Sequence, residues 1–124
     1  MATIKITFVP QDDLTIFTVK GDLSSNEIMQ YSSEYYQLKP TQLVLWDASE
    51  GTVENITNED FKKLASEMRK ITHNRVGGKT ALLGKFDIDF GLSRMYEAYA
   101  EMENVPVTYC SFHNRDDAMS WLKE

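Results

Sequence analysis

The stretch Gln42-Leu43-Val44-Leu45-Trp46-Asp47 decides the fold class of this 124-residue chain. Side chains alternate between the two faces of a strand, and the four apolar residues in the middle make both faces apolar. A strand of this kind is typical of a sheet that helices cover on both sides. Thr80 to Leu83 repeats the two-sided pattern farther along. Helical segments follow both strands, so the sequence predicts an α/β domain with parallel strands.

An antiparallel hairpin is predicted ahead of this region. From Thr3 to Val9, isoleucine and phenylalanine alternate with threonine and lysine, which is typical of a strand with one exposed face. Pro10 to Asp13 has the composition of a turn, and Leu14 to Val19 is predicted to be a second strand. Because a connection of about four residues joins antiparallel neighbours, we expect these two strands to pair.

Four amphipathic helices are predicted along the rest of the chain. Ser24 and Glu27 have the spacing of a capping box, and the apolar residues behind them recur at steps of three and four. The predicted helices run from about Ser25 to Gln37, from Thr57 through a buried stripe that ends at Ile71, from Asp87 or Asp89 to about Glu103, and from a cap at Asn114. The predicted buried stripe of the third helix consists of Ile88, Leu92, Met95, Tyr99 and Met102.

The predicted element order is β-β-α-β-α-β-α-β-α, in one domain that spans residues 1–124. Ala48 to Ile56 is predicted to be a polar loop, and Pro106 to Phe112 is predicted to be the last strand. We expect the four later strands to lie parallel, because right-handed crossovers join successive strands of such sheets. The fold class is therefore a mixed, mostly parallel five-stranded sheet with an N-terminal hairpin at its margin and four helices.

Composition narrows the class of protein. Thirteen basic and nineteen acidic residues give a net charge of −6, which argues against broad binding to a nucleic-acid backbone. No apolar run approaches the roughly 20 residues of a membrane span, and no signal peptide is visible. One cysteine cannot form an internal disulfide, so we expect a cytoplasmic location. Two histidines and one cysteine without ligand spacing predict no metal site, and we expect no cofactor.

Two motifs are similar to sites that bind or accept phosphate, a P-loop and a phospho-receiver domain, but the surrounding residues argue against both. Gly77-Gly78-Lys79-Thr80 is similar to the end of a P-loop, but His73 stands where that loop needs its first glycine, and a strand follows instead of a helix. The acidic residues Asp12, Asp13 and Asp47 are reminiscent of a phospho-receiver domain. The first two lie in a hairpin turn, however, and a receiver domain needs them at the head of a crossover helix.

The carboxyl ends of the parallel strands are the expected place for a ligand or a partner. In open parallel sheets ligands collect outside this edge, which here brings together aromatic side chains, carboxylates and helix N-termini. One hypothesis is an aromatic pocket near Trp46, Phe86, Phe90 and Tyr96. The candidate residues that the edge contributes are Trp46, Asp47, Ser49, Phe86, Asp87, Phe90 and Tyr96.

The tyrosines divide into two groups by their position on the helices. Tyr31, Tyr35 and Tyr99 lie on the apolar stripes, so we expect them to pack in the core with the hydroxyl at its rim. Tyr36 and Tyr96 fall off those stripes, which makes them candidates for a partner surface or the lip of a ligand site.

Four segments together resemble a known family. They are Leu43 to Ser49, Gly78 to Leu83, the helix Phe90-Gly91-Leu92-Ser93-Arg94-Met95-Tyr96-Glu97-Ala98-Tyr99, and Asp117 to Leu122. They are similar to the SpoIIAA-like branch of the STAS domains, which have the anti-anti-sigma factor fold. The likeness spans nearly the whole chain, and the Phe90 to Glu97 run is its most specific part.

The resemblance implies a small cytoplasmic α/β domain that acts by binding. In anti-anti-sigma factors, phosphorylation of a serine or threonine in an Asp-Ser-Ser/Thr-Gly motif, at the start of the second crossover helix, switches the domain. The matching stretch is Ile56 to Asp60, which has no glycine and has Asn58 near the acceptor position, so the motif is degenerate. Thr57 is the nearest hydroxyl and joins the candidate residues, together with Ser49 earlier in the chain. The branch also resembles lipid-binding modules.

Three functions stay open at this stage. The first is a non-enzymatic regulatory or protein-interaction module, in which a protein partner is expected and a dimer is conceivable. The second is a carrier of a small apolar or anionic molecule with a pocket at the carboxyl edge. The third is an enzyme that uses Asp47 or Asp87 as a base, although no nucleophile or paired acid completes a mechanism.

Overall fold

Residues 2–124 are described here in a computed structural model. Two short 3₁₀ turns, at Pro10–Asp12 and His73–Arg75, interrupt the strands and helices. The strands and α-helices are β1 (Ala2–Val9), β2 (Leu14–Asp22), α1 (Ser25–Gln37), β3 (Leu43–Thr52), α2 (Asn58–Ile71), β4 (Lys79–Gly84), α3 (Asp87–Met102), β5 (Thr108–Phe112) and α4 (Arg115–Leu122). This is the predicted order.

One mixed sheet holds all five strands in the order β1-β2-β3-β4-β5. β1 runs antiparallel to β2, and every other neighbouring pair is parallel, as predicted. Asp13 closes the hairpin in the left-handed conformation (φ 50°), which aspartate tolerates better than most residues. The hairpin therefore lies at the margin of the sheet.

Helices cover both faces of the sheet, as the two-sided pattern predicts. Leu45 of β3 is fully buried and contacts the side of the sheet on which α4 packs, where Ala118 and Leu122 complete the aliphatic core. Its neighbours Val44 and Trp46 point to the other face, which α1, α2 and α3 cover. The alternation of side chains along β3 thus divides the interior into two parts, one on each face of the sheet.

The predicted loop after Asp47 is wrong in its first part, because β3 continues to Thr52. β2 and β3 continue to pair beyond an irregularity in their register, where Glu50 lies opposite Lys20 and Gly51 lies opposite Gly21. Both strands are therefore longer than predicted. A Cβ on Gly51 would lie 2.8 Å from the carbonyl oxygen of Gly21, so glycine permits this close approach. Pairing with a distant strand, which local polarity does not reveal, keeps these residues in the sheet.

The predicted buried stripe of α3 is wrong at its two ends, although Leu92, Met95 and Tyr99 in its middle pack against the core. Ile88 and Met102 are 53% and 73% exposed, whereas Asp89, Tyr96 and Ala100 are buried. Asp89 Oδ1 accepts hydrogen bonds from the Thr52 hydroxyl and the Val53 N–H, at 2.8 and 2.9 Å. These bonds hold the first turn of α3 with its carboxylate inward, which carries Tyr96 toward the sheet.

Candidate functional site

A cavity lies between the sheet and the helices α1, α2 and α3. It offers about 90 Å³ of space for the centres of water-sized molecules. One water needs roughly 10–15 Å³ on that measure, so the space suits several waters or one small organic molecule. The sheet side of the wall includes Phe17, Val19, Val44 and Trp46, and the helix side includes Ile28, Tyr36, Phe61, Leu64, Met68 and Tyr96.

Aromatic rings in mutual contact form much of this wall. Phe17 stacks on Trp46 with ring centroids 4.3 Å apart, and Tyr35 meets Phe17 edge-on at 5.5 Å. At another part of the wall, Tyr96 meets Tyr109 edge-on at 5.1 Å. Such contacts restrain ring orientation, so the wall resists collapse into the space.

One charged side chain, Arg75, reaches the cavity from the segment after α2. Its residue is 1% exposed, and all five N–H groups of its guanidinium donate to neutral oxygens over distances of 2.7 to 3.1 Å. The acceptors are the carbonyls of Thr41, Gln42 and Lys79 and the hydroxyls of Tyr36 and Thr80. Every donor has a partner, so the cation is held rigidly.

The glycine pair after Arg75 is explained by this arrangement. Gly77 has φ +82°, a conformation that other residues rarely adopt. A Cβ on Gly78 would lie 2.8 Å from the Gln42 carbonyl oxygen and 2.9 Å from that of Arg75. The glycines therefore let the chain turn closely around the guanidinium, and β4 begins at the next residue, Lys79, one residue before the predicted start at Thr80.

A second layer of hydrogen bonds positions one of the carbonyls that Arg75 uses. The Tyr35 hydroxyl accepts from the Thr41 N–H at 2.7 Å. The Thr41 and Thr15 hydroxyls lie 2.9 Å apart and share a hydrogen bond. These contacts join α1, β2 and the start of β3 beside the guanidinium, so the polar end of the cavity is built from distant parts of the chain.

No carboxylate balances the charge of Arg75 within residues 2–124. The four ion pairs of this part of the chain involve Lys20, Lys70, Arg115 and Lys123 as cations. Neutral dipoles alone surround the guanidinium. Burial of a charge is costly unless it is paired, and hydrogen bonds to neutral groups offset only part of that cost. The cavity end therefore carries an unbalanced positive charge.

Three tyrosine hydroxyls near this charge keep their protons. Burial raises the pKa of Tyr36, and the nearby Arg75 guanidinium only partly opposes that shift. Burial also raises the pKa of Tyr96 and of Tyr109. The Tyr36 oxygen already accepts from Arg75 at 2.7 Å, which leaves its own hydrogen available for donation. The cavity thus presents neutral hydroxyl donors beside a fixed cation.

The predicted site residues from β3 lie on different faces of the sheet. Trp46 lines the cavity. Asp47 points to the α4 face, where it accepts from Arg115 at 2.8 Å and from the Ser49 hydroxyl at 2.6 Å. The structure therefore separates Trp46 from Asp47 and Ser49, because consecutive strand residues point in opposite directions.

The other predicted site residues are scattered. Tyr96 lines the cavity, whereas Phe86 is 58% exposed and Asp87 beside it is exposed at the start of α3. Phe90 stacks on His113 with ring centroids 3.9 Å apart. Thr57 is the N-cap of α2.

The Thr57 oxygen accepts from the Asp60 N–H at 3.1 Å, which is ordinary helix capping. Phosphate on this hydroxyl would lie beside two acidic side chains of the same turn, Glu59 and Asp60. The role of Thr57 as a phosphoacceptor stays a prediction.

Two further kinds of feature would bear on function, a helix that could span a membrane and a side-chain cluster that could bind a metal ion. No helix between residues 2 and 124 combines the length and apolarity that crossing a membrane requires. The same residues contain no cluster of three or more histidine, cysteine, aspartate or glutamate side chains that could hold a metal ion.

Comparison with known proteins identifies the fold. No family model matches the chain, and no curated protein matches it. A solved structure of an uncharacterized protein from the DUF3478 family, with a SpoIIAA-like fold, from Shewanella loihica PV-4 is similar over 98% of this chain and 93% of its own. The TM-score is 0.57 and the sequence identity is 20%, a level at which likeness shows the fold alone. The chain therefore has a SpoIIAA-like fold.

Proposed function

We propose that this protein is a small-molecule-binding domain that acts by binding and not by catalysis. The cavity between the sheet and the helices α1 to α3 carries the proposal. Its wall is mostly apolar and aromatic, with a few convergent polar groups at one end, which is the usual make-up of a ligand site. Of the functions considered from the sequence, this geometry favours the carrier, although the polar end of the cavity lies at the amino ends of β3 and β4 and not at the predicted carboxyl edge.

Packing energetics support a bound molecule. Protein interiors contain few voids larger than a water molecule. Side chains around a space of about 90 Å³ lack packing partners on one side, which costs the free chain dispersion free energy. A ligand of matching shape restores the missing contacts, so binding would recover much of that free energy. The rigid aromatic wall keeps the space available for such a ligand.

The positions of the two suggested bases favour binding over catalysis. Asp47 lies on the opposite face of the sheet and is bound to Arg115. Asp87 is exposed at the start of α3. Of the tyrosines that line the cavity, Tyr36, Tyr96 and Tyr109 have a raised pKa. A raised pKa takes these three hydroxyls farther from proton exchange near neutral pH.

Native mass spectrometry of the purified protein tests the proposal. We expect a retained small molecule, or, if the protein is isolated empty, saturable binding of toluene followed by Trp46 fluorescence. Ser93→Leu, which places a larger side chain on the cavity wall, is expected to abolish binding. Ser66→Leu is a matched control on α2, outside the cavity. Absence of a retained mass, together with no binding of toluene, benzoate or benzylamine to folded protein, would refute the proposed function.

A second candidate function, a regulatory or protein-interaction module, is supported by the edge strand. Ile6 and Phe8 of β1 are 51% and 60% exposed, and they point to the same side of the sheet. An edge strand with exposed apolar side chains is a common place for a partner to bind.

Substitution of the edge strand tests this second function. Ile6→Lys with Phe8→Lys is expected to abolish any complex, whereas Thr7→Lys, on the other side of the same strand, is expected to preserve it. Light scattering with size-exclusion chromatography measures self-association, and affinity capture identifies other partners. A complex that survives the double substitution would exclude this surface.

A further inference from the structure

We propose that the molecule bound in the cavity is a small organic monoanion, with its carboxylate against the Tyr36 hydroxyl at the Arg75 end and its apolar body among the aromatic rings. This inference rests on the proposed function and adds the chemical class of the ligand.

The charge distribution of the cavity is the first reason. Among the cavity-lining residues of the described chain, Arg75 is the one with a charged side chain. The protein as a whole has a net charge of −6, so a buried unpaired cation opposes the general character of the chain. A ligand with one negative charge would balance it, whereas a cationic ligand would be repelled.

The hydrogen-bond pattern around Arg75 says how the anion would be held. All five N–H groups of the guanidinium already have acceptors, so a ligand has no free N–H of Arg75 to bind. Tyr36 accepts one of these bonds, and its hydroxyl hydrogen can be donated onward. A carboxylate bound to that hydroxyl would lie about 5 Å from the Arg75 nitrogen. Polarisation by the cation strengthens this donor.

The remaining polar groups of the cavity suit the same ligand. Ser32 and Thr80 are further hydroxyl-bearing residues of the wall. The Thr80 hydroxyl accepts from Arg75 at 3.1 Å, so its hydrogen also remains to be donated. A carboxylate only accepts hydrogen bonds, so hydroxyls that can donate them suit it as partners. The small volume and the aromatic wall favour a compact body such as a single ring over a long acyl chain.

A series of three ring compounds of similar size tests the charge. The probes are benzoate, toluene and benzylamine, with affinities measured at pH 7 by Trp46 fluorescence in a Trp121→Phe background and by calorimetry. We expect benzoate to bind at least about tenfold more tightly than toluene, because a hydrogen bond to a charged group contributes more than apolar contact alone. Benzylamine is expected to bind more weakly than toluene.

Variants separate the hydroxyl from the shape of the cavity. Tyr36→Phe is expected to weaken benzoate binding about tenfold and to change toluene binding less than twofold. Tyr99→Phe removes a tyrosine hydroxyl that binds Asn58 outside the cavity, and it is expected to change neither affinity. Arg75→Met is expected to abolish the preference for benzoate, provided that circular dichroism shows a folded protein. If Arg75→Met does not fold, the result for Tyr36→Phe decides whether the anion inference stands.

The outcomes distinguish this inference from the proposed function. If toluene binds as tightly as benzoate, or if Tyr36→Phe weakens both equally, the anion inference is overturned and the proposed function stands. If none of the three probes binds and no mass is retained, both are overturned. A benzoate preference that Tyr36→Phe removes supports both.

Discussion

The two faces of the sheet are built from alternate residues of the same strands, yet they differ in packing and charge. On the α4 face, Leu45 and its aliphatic neighbours form a closed core, and the cation Arg115 is paired with Asp47. On the opposite face, aromatic side chains surround a cavity, and the partners of the buried cation Arg75 among residues 2–124 are neutral. The comparison shows that one face is packed closed around paired charges, while the other keeps a cavity, the proposed binding site, beside a buried cation.

The largest expected effect follows from the different surroundings of the two arginines. Arg75→Ala removes the donors of five buried acceptors and is expected to lower the free energy of unfolding by about 4 kcal/mol. The Arg115 side chain is half exposed, so Arg115→Ala is expected to cost only about 1 kcal/mol. Urea unfolding measures both. Similar losses for the two variants would show that burial of Arg75 does not set its contribution.

A pair of leucines tests whether the faces differ in packing. Leu45 is fully buried on the α4 face, and Leu64 of α2 is buried beside the cavity. Leu45→Ala is expected to cost about 3–4 kcal/mol, and Leu64→Ala about 1 kcal/mol less, because a side chain beside a void has fewer contacts to lose. Unfolding in urea gives both values. A larger loss at Leu64 would contradict a cavity that is empty in the free protein.

Substitution of Gly78 tests the close turn around Arg75, with a smaller expected change in the free energy of unfolding. Gly78→Ala is expected to lower the free energy of unfolding by about 2 kcal/mol, since its Cβ would meet two backbone oxygens within 3 Å. At Gly91 a Cβ would meet nothing within 4 Å, and Gly91→Ala in the exposed part of α3 is expected to stabilise by about 0.5–1 kcal/mol. Thermal unfolding checks both signs. Tolerance of alanine at Gly78 would mean that the turn can relax without displacing the guanidinium.

The smallest effect appears at high pH and is specific to the cavity face. The folded state raises the pKa of Tyr36 above its ordinary value of 10, so the unfolded chain loses that proton first. Stability from this group is present below pH 10 and falls as pH rises through the folded pKa, by at most about 1.4 kcal/mol per pH unit for one tyrosine. Tyr36→Phe is expected to reduce the slope of stability against pH between 10 and 11.5.

Urea unfolding at successive pH values in that range gives the slope for each variant. Phe112→Leu on the α4 face is a control that removes no ionisable group, and its slope is expected to match that of the unsubstituted protein. An unchanged slope in Tyr36→Phe would show that the hydroxyl is not buried.

The local sequence pattern was sufficient to predict the strands and helices and their order along the chain. The capping box at Ser24 and Glu27 forms as predicted, with Ser24 accepting from the Glu27 N–H, and α1 begins at the next residue. The two-sided apolar runs in β3 and β4 correctly indicate a sheet with helices on both faces. These features depend on residues three or four positions apart or on alternation along one strand, so sequence contains them directly.

The candidate site was only partly predictable. Trp46 and Tyr96 were singled out and line the cavity, but Arg75, Phe17 and Tyr109 were not. Arg75 lies in a polar segment next to a glycine pair, where an arginine is ordinarily exposed, and its partners are mostly backbone carbonyls. Backbone oxygens carry no sequence signal. A conspicuous glycine pair after a charged residue is the one local hint of a close turn.

The sequence by itself determined the α/β class, the edge hairpin and the four helices, because hydrophobic periodicity and capping act over a few residues. Only the tertiary structure decided that β3 extends to Thr52, that α3 turns Tyr96 inward, and that Arg75 is buried without a counterion among residues 2–124. Each of these depends on contacts between segments thirty or more residues apart, such as Gly21 with Gly51, Thr52 with Asp89 and Arg75 with Thr41. Hydrogen bonds over such separations are made by the fold and cannot be read from local pattern.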